Sequence, residues 1–207
     1  MIVRRRSIAR AAWVVLLACA PVAQAATPSH DDSSVVATPV AIDNPGFESR
    51  DPGRQGAPPG WWKLQHAGPE SYVFVLDASN PHGGERSLRI SNTGPEPFGT
   101  LLQKLNAAPF RGRTLRYSAW IRTDGAKGNR YGAGAGLLLH AMRGGYPVSR
   151  VSMRKDAVGG TTDWARYQVT LKVPADAEHI EIGLSLYGAG SAWLDDVELA
   201  VVEPRAS

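Results

Sequence analysis

The sequence predicts an all-β fold, a two-sheet antiparallel β-sandwich of the jelly-roll type. After about residue 26, helical periodicity is nearly absent, and short segments alternate apolar with polar residues instead. Clusters of Gly, Pro, Asn and Asp separate these segments, as turns do. About ten short strands in a chain of 207 residues are typical of a two-sheet jelly roll.

Ten segments carry this strand pattern. They are residues 35–42, 72–76, 87–91, 100–105, 114–122, 134–142, 148–153, 165–173, 180–186 and 192–202. In 114–122, alternation places Leu115, Tyr117 and Ile121 on one face and polar residues on the other. The same separation occurs in 165–173 and 180–186. Each strand therefore offers one row to a shared core and one mixed row to the outer face of a sheet.

The first 25 residues are predicted to be a signal peptide. Four arginines precede an apolar stretch at 11–20, and Ala23-Gln24-Ala25 is a small-x-small cleavage site. Cleavage after Ala25 would place the protein in the periplasm or outside the cell. Two alternatives remain open: residues 5–10 form a loose twin-arginine pattern, and 16–19 form an imperfect lipobox that would anchor a lipid at Cys19.

Removing the leader changes the charge and cysteine content. The leader holds four arginines and no acids, which leaves 19 basic and 19 acidic residues. A balanced chain argues against nucleic acid as a partner. The single cysteine, Cys19, is in the leader, so a core, with or without a metal, has to hold the exported domain without disulfides. No segment after the leader is apolar for long enough to span a membrane.

The rest of the chain is predicted to be one domain. Residues 26–40 are rich in Ser, Asp, Thr and Pro and favour a flexible lead-in, although the first strand candidate already begins at residue 35. Residues 41–203 show no second shift of composition and no internal repeat, which indicates a single jelly-roll domain.

The last strand candidate contains an unexpected pair of acids in the stretch SAWLDDVEL. Strict alternation places Asp195 in the apolar row with Trp193, Val197 and Leu199, and Asp196 on the opposite face. An ionised carboxylate in an apolar row is costly unless it is neutralised, paired or bound to a metal. The residues alone leave open a hydrogen-bonded carboxylate, a pair with an arginine and a metal ligand.

Several segments, taken together in order, resemble carbohydrate-binding modules of the CBM4/9/22 type, within the galactose-binding-like jelly-roll superfamily. They are NPGFE at 44–48, HGGERSLRI at 82–90, LLQKL at 101–105, LRYSAWIRTDG at 115–125, TTDWARYQVTLKVP at 161–174 and AWLDDVEL at 192–199. The resemblance runs from about residue 43 to 202. It implies a non-catalytic module that binds a polysaccharide or another glycan.

The resemblance also implies a structural calcium ion that ties the opening segment to the closing strand. Carried over to this sequence, its ligands would be Glu48, Asp195 and backbone carbonyls from Gly83 to Arg86. Calcium takes six to eight oxygens from carboxylates, carbonyls and water, which such a set could supply.

Sugar-binding residues are expected in the outer rows, where aromatic rings can stack on sugars and planar polar groups can bind hydroxyls. The candidates are Arg116, Trp120, Arg122, His140, Gln168 and Tyr187. Trp120 could instead pack beneath a loop with arginines stacked on it. Of Trp61 and Trp62, one is expected to close the core and the other to edge a cleft, whereas Trp164 and Trp193 are expected in the core.

Two other classes of function remain open. A small polysaccharide lyase or glycoside hydrolase would need clustered titratable groups, for which Tyr131, His140 and Tyr146 are the candidates. An adhesion or protein-interaction domain of the cell envelope would instead show a large exposed apolar patch. The sequence has no GxSxG motif and no pair of histidines at metal-ligand spacing.

Overall fold

The computed structural model describes residues 35–49 and 57–205, and these residues fall in one compact unit. The predicted signal peptide and Cys19 lie outside the described residues. Within the described part of the chain, no helix is long and apolar enough to cross a membrane.

The described residues form eleven strands and one short 3₁₀ helix. The strands are β1 Val35–Val40, β2 Trp62–Gln65, β3 Tyr72–Asp77, β4 Ser87–Asn92, β5 Phe98–Asn106, β6 Thr114–Lys127, β7 Ala135–Arg143, β8 Tyr146–Ser152, β9 Gly160–Lys172, β10 His179–Tyr187 and β11 Ala189–Pro204. The 3₁₀ helix is Ala108–Phe110. All ten predicted strands are present, and only β2 was missed.

The strands form two antiparallel sheets that pack as a sandwich, which confirms the predicted jelly-roll class. The six-stranded sheet has the order β3-β4-β11-β6-β9, and β1 also pairs with β11. The five-stranded sheet has the order β2-β5-β10-β7-β8. Because β1 pairs with the second half of β11, residues 35–40 are a strand and not part of a flexible lead-in.

The core forms where the predicted apolar rows of the two sheets meet. The largest fully buried side chains of β6, β7 and β10 include Leu115, Tyr117, Ile121, Leu137, Leu139, Ile180 and Ile182. These lie in alternate positions of each strand, as the period of two predicts. The intervening residues face outward, and on the five-stranded sheet they form the floor of an open groove.

The row prediction for β11 holds for Val197 and Leu199 but is wrong for Trp193 and Asp195, in the first half of the strand. A β-bulge between Asp195 and Glu198 adds one residue opposite Trp120 and Ser118 of β6. An extra residue resets the alternation of side chains, so Val197 faces the core although Asp195 does not. Trp193 is buried but lies outside the core cluster, on the outer face with Asp195, which corrects the expected core position of this indole.

Candidate functional site

A groove of about 260 Å³ lies on the outer face of the five-stranded sheet. Its floor comes from outward residues of β5, β7 and β10, which register brings side by side. Thr100 pairs with Ser185, and Leu102 and Leu138 both pair with Gly183. The full lining is Leu64, Phe98, Thr100, Leu102, Tyr131, Leu138, His140, Arg154, Glu181, Ser185 and Tyr187.

One end of the groove is aromatic. Phe98 and Tyr187 are paired across β5 and β10, and their ring centroids lie 6.0 Å apart. Tyr131 adds a third ring from the loop before β7. Gly132 approaches the ring of Tyr187 so closely that a Cβ at this position would overlap it. The glycine-rich loop therefore packs against the aromatic end.

The remaining floor is polar. The hydroxyls of Thr100 and Ser185 are hydrogen-bonded at 2.8 Å. His140 of β7 stands beside Glu181 of β10 in register, and Arg154 donates its Nε–H to the carbonyl of Tyr131. Burial lowers the pKa of His140, although the nearby charge of Glu181 opposes this shift. Burial therefore favours the uncharged imidazole, which offers one donor and one acceptor.

The structure brings together only two of the six predicted ligand residues. His140 and Tyr187 line the groove of the five-stranded sheet. The other four lie on strands β6 and β9 of the six-stranded sheet: Arg116, Trp120, Arg122 and Gln168. The two sets are on different sheets, so they cannot form one site, and the predicted binding role of the second set stays a prediction.

On the outer face of the six-stranded sheet, a loop packs over Trp120. The imidazole of His82 stacks on this indole with centroids 3.8 Å apart and an angle of 17°. The guanidinium carbon of Arg122 lies 3.9 Å from the ring centroid of Trp193 and 5.7 Å from that of Trp164. Packing beneath a loop, the alternative considered for Trp120, therefore describes this indole.

Trp164 is half-buried and lies outside the core cluster, contrary to the expectation. Its Nε1–H donates to the carbonyl of Asn80, so the indole serves to hold the loop that precedes His82. Trp61 is buried against Phe47, as one of the tandem tryptophans was expected to be. Trp62 pairs with Leu102 and lies on the groove side of edge strand β2.

Asp195 holds the loop that contains Gly83. Its Oδ2 accepts the backbone N–H groups of His82 at 2.9 Å and Gly83 at 3.1 Å, and its Oδ1 accepts that of Asp196 at 2.8 Å. The residue is 0% exposed. Burial raises the pKa of Asp195 to about 6, although the three donated hydrogen bonds favour the ionised form.

Glu48 binds the same loop from the opening segment. Its Oε1 accepts the backbone N–H groups of Glu85 at 2.9 Å and Arg86 at 3.1 Å. The predicted partners Glu48 and Asp195 thus converge on residues 82–86, as the resemblance implies. Hydrogen bonds to two carboxylates join the start of the domain, this loop and the last strand.

The donor set allows calcium only if the backbone contributes. Among the residues that the structure describes, no group of three or more His, Cys, Asp and Glu side chains is arranged to hold a metal ion. Two carboxylates on one loop fit the oxygen preference of calcium, with carbonyls and water as the further ligands. Calcium binding through Glu48, Asp195, Gly83 and Arg86 stays a prediction.

Gly84 provides a test of the Glu48 contact. Its φ is +60°, and a Cβ at this position would overlap the carboxylate of Glu48. Gly144 has a similar φ of +55° with no atom within 4 Å of the same position, so it is a matched control. Each Ala variant bears a backbone strain of about 1–2 kcal/mol. We expect Gly84→Ala to be the less stable in chemical denaturation, and equal stabilities would contradict the contact.

Sequence reasoning missed most of the groove. Phe98, Thr100, Leu102, Glu181 and Ser185 lie on predicted strands or directly before one. Alternation marks Glu181 and Ser185 as outward-facing, but residues 98–102 show no clear alternation, and no motif distinguishes any of the five from other residues of the sheet. Only the pairing of β5 with β10 and of β10 with β7 places them in one groove.

The fold defines the class of the protein: the chain is a jelly-roll β-sandwich with the fold of carbohydrate-binding modules. A carbohydrate-binding module of family 4 superposes with a TM-score of 0.54 at 18% identity, over 78% of this chain and 99% of that one. The predicted resemblance is therefore confirmed at the level of fold. No family model matches the sequence.

Other proteins of different activity share this fold. The enzymatically active domain of tailspike protein 4 of bacteriophage CBA120 has a TM-score of 0.57 at 15% identity, over 77% of this chain and 21% of that one. The Stig cyclase Fisc from Fischerella sp. TAU has a TM-score of 0.55 at 16% identity, over 83% of this chain and 100% of that one. At such identities the likeness concerns the fold alone.

One curated relative is more similar in sequence. The uncharacterised HTH-type transcriptional regulator YbfP of Bacillus subtilis (strain 168) is 28% identical over 146 residues, which cover 69% of this chain. The chain spans about half of that protein, since the matched residues cover 48% of it. The likeness therefore concerns a shared segment and does not extend to the whole regulator.

Proposed function

We propose that this protein is a non-catalytic glycan-binding module that holds its ligand in the groove of the five-stranded sheet. The observation that carries the proposal is the meeting, in one open groove, of the Phe98–Tyr187 aromatic pair with the polar floor around Thr100, His140 and Ser185. The fold shared with a family 4 carbohydrate-binding module supports it.

The groove suits the two-sided chemistry of a sugar. One face of a pyranose ring presents C–H groups, which pack on aromatic rings, and its rim presents hydroxyls. Tyr187 and Phe98 supply the rings. His140, Glu181 and the hydroxyls of the floor supply donors and acceptors that a glycan chain lying across the strands could reach.

The catalytic alternative is less well supported by the described residues. Tyr131 and His140 line the groove, but Tyr146 does not, and it is 78% exposed beside the turn between β7 and β8. The three candidates therefore do not converge in one cleft. A lyase or hydrolase built on them would need Tyr146 to enter the groove.

The protein-interaction alternative predicts a large apolar patch. The large hydrophobic residues with an exposed side chain, among those described, are Val36, Leu64, Val73 and Tyr146. They lie on four different strands, β1, β2, β3 and β8. Scattered apolar residues are normal on a protein surface and do not mark an interface.

A panel of soluble polysaccharides tests the proposal directly. The panel comprises β-1,4-glucan, xylan, mannan, galactan and β-1,3-glucan, and binding is measured by affinity electrophoresis and isothermal titration calorimetry. We expect at least one member to bind reversibly without being shortened. If no member binds, the proposed function fails, and release of oligosaccharides or unsaturated ends would show an enzyme instead.

We propose calcium as a structural ligand of the loop at residues 82–86. An ion bound by Glu48 and Asp195 would replace part of their hydrogen bonding to the loop and offset the cost of burying Asp195. Thermal melting after EDTA treatment and after addition of calcium tests this. We expect calcium to raise the Tm in the wild type and not in Glu48→Gln, and the absence of any shift in the wild type would rule it out.

We propose, in addition, export by the signal peptide, for which the support is the leader pattern of the first 25 residues. Amino-terminal sequencing of the protein from its native host is expected to begin at Ala26. A lipid-modified Cys19 would show the lipoprotein route instead, and an intact Met1 would show that the leader is not processed.

A further inference from the structure

A second cavity lies next to the groove and shares one wall with it. This cavity, of about 690 Å³, is formed by His66, residues 94–97, residues 129–131 and residues 188–189, together with Asn92. Tyr131 lines both cavities. The ring of His66 lies 5.8 Å from that of Phe98 in the groove and 6.5 Å from that of Tyr131. The ring of His66 in the second cavity therefore lies close to two rings that line the groove.

The second cavity contains polar groups with unused hydrogen-bonding capacity. His66 places its Nδ1 3.1 Å from Glu96 Oε2, and its Nε2 has no hydrogen-bond partner among the described residues. Glu96 Oε2 also accepts the N–H of Ala67, so this carboxylate holds His66 in position. A fixed imidazole with one free nitrogen suits recognition of a hydroxyl group.

Arg130 also has donors to spare. Its guanidinium donates to the hydroxyl of Tyr131 at 2.8 Å and lies 4.9 Å from the centroid of the same ring. It makes no ion pair with any acid in the described part of the chain. With five N–H donors, it retains several for a ligand. The cavity thus combines a ring, a guanidinium and an imidazole, which are the groups that hold sugar hydroxyls.

The volumes allow a ligand that occupies both cavities. Binding sites for small ligands usually enclose about 300–1,000 Å³. The groove alone, at about 260 Å³, lies below this range, whereas the groove and second cavity together fall within it. A chain that extends past Tyr131 would gain contacts that a short one lacks.

We propose that the second cavity is a subsite for further sugar units of a glycan chain held in the groove. His66 and Arg130 bind hydroxyls of these units, and the chain passes along the ring of Tyr131. The subsite takes neutral sugars, since Glu96 and Arg130 give the cavity one charge of each sign. This inference rests on the proposed glycan binding in the groove.

The length of the oligosaccharide distinguishes binding in the groove from binding in the additional subsite. From the panel polysaccharide that binds, a ladder of oligosaccharides of two to eight units is titrated into the full mature protein by calorimetry. We expect short members to bind in the groove and longer members to bind about tenfold more tightly, as hydrogen bonds to a charged group allow. A wild type that binds short and long members equally overturns the subsite and leaves the groove in place.

Substitutions in the second cavity test whether its residues cause the higher affinity for longer oligosaccharides. Arg130→Ala is the first choice, because this side chain is exposed and, within the described part of the chain, its hydrogen bond and its cation–π contact are both with Tyr131. His66→Ala is the second, and Arg143→Ala, at an exposed ion pair with Asp176, is the control. We expect Arg130→Ala and His66→Ala to lose the tenfold gain with the short-ligand Kd unchanged. If both variants still bind longer oligosaccharides about tenfold more tightly, the inference is overturned. If no oligosaccharide of any length binds the wild type, both this inference and the proposed function fail.

Discussion

Asp195→Ala is expected to be the most destabilising single substitution at the loop that joins the opening segment to the last strand. The side chain is fully buried and its two oxygens accept three backbone N–H groups. Without it, these donors lose their partners, and each unsatisfied group costs about 1–3 kcal/mol. We expect a loss of about 3–5 kcal/mol in the free energy of unfolding, measured by chemical denaturation.

Asp176→Ala is the matched control for Asp195→Ala. Asp176 also accepts a hydrogen bond, from Arg143, but its side chain is 49% exposed. Exposed ion pairs contribute about 0–1 kcal/mol, so this variant should be close to the wild type in stability. Equal losses in the two variants would show that the hydrogen bonds of Asp195 do not hold the loop.

The raised pKa of Asp195 adds a pH dependence with a definite sign. Because its pKa is about 6 in the folded protein and near 3.8 when unfolded, the folded state binds the proton more tightly. The stability from this group is fully present below pH 3.8 and is lost as pH rises through 6. In chelator, Asp195→Asn should abolish this component of the pH profile.

Tyr187→Ala is expected to have the largest effect on glycan binding. The Tyr187 ring forms one wall of the aromatic end, opposite Phe98 and against Gly132. Its removal takes away both the stacking surface and the shape of the groove. We expect at least about a tenfold rise in Kd for the bound polysaccharide, as is typical of a buried aromatic anchor.

Two variants make the Tyr187→Ala result specific. Tyr187→Phe keeps the ring and should bind nearly as the wild type does. Trp120→Ala removes an aromatic ring from the other sheet, where His82 covers it, and should leave the Kd unchanged if the variant folds. If Trp120→Ala weakens glycan binding more than Tyr187→Ala does, the binding site lies on the six-stranded sheet instead.

The strands could be predicted because alternation is a local signal. All ten predicted segments became strands, and the signal is clearest in 114–122, 165–173 and 180–186, where an apolar row of four residues alternates with polar residues. β2 was missed because Trp62–Gln65 has only four residues, too few to show a period of two. It is held by pairing with β5, and that long-range contact leaves no mark in the local sequence.

The row of Asp195 could not be predicted because alternation fails at a bulge. The tandem acids mark the position, and Asp196 adopts a φ of 43°, which Asp tolerates better than most residues. Nothing in the residues shows that Trp193 lies before the break and Val197 after it. The expected cost of burying Asp195 nevertheless pointed to a carboxylate with partners, and three backbone N–H groups offset part of that cost.

Only a small part of the site was predicted, for a similar reason. Outer rows could be identified strand by strand, but the sheet to which each strand belongs depends on pairing. His140 and Tyr187 were chosen with Trp120 and Arg122 because all four face outward. The sandwich then separates the two pairs onto different sheets, and apolar groove residues such as Leu102 and Leu138 carry no sign of exposure in the sequence.

The central claim is that the groove of the five-stranded sheet binds the glycan. Titration of ¹⁵N-labelled protein with the panel polysaccharide's short oligosaccharides, followed by NMR, tests it most directly. We predict amide shift changes at Thr100, His140, Ser185 and Tyr187 that saturate together with the calorimetric Kd. Changes concentrated at Trp120, Arg122 and Gln168, with the groove unaffected, would contradict the claim.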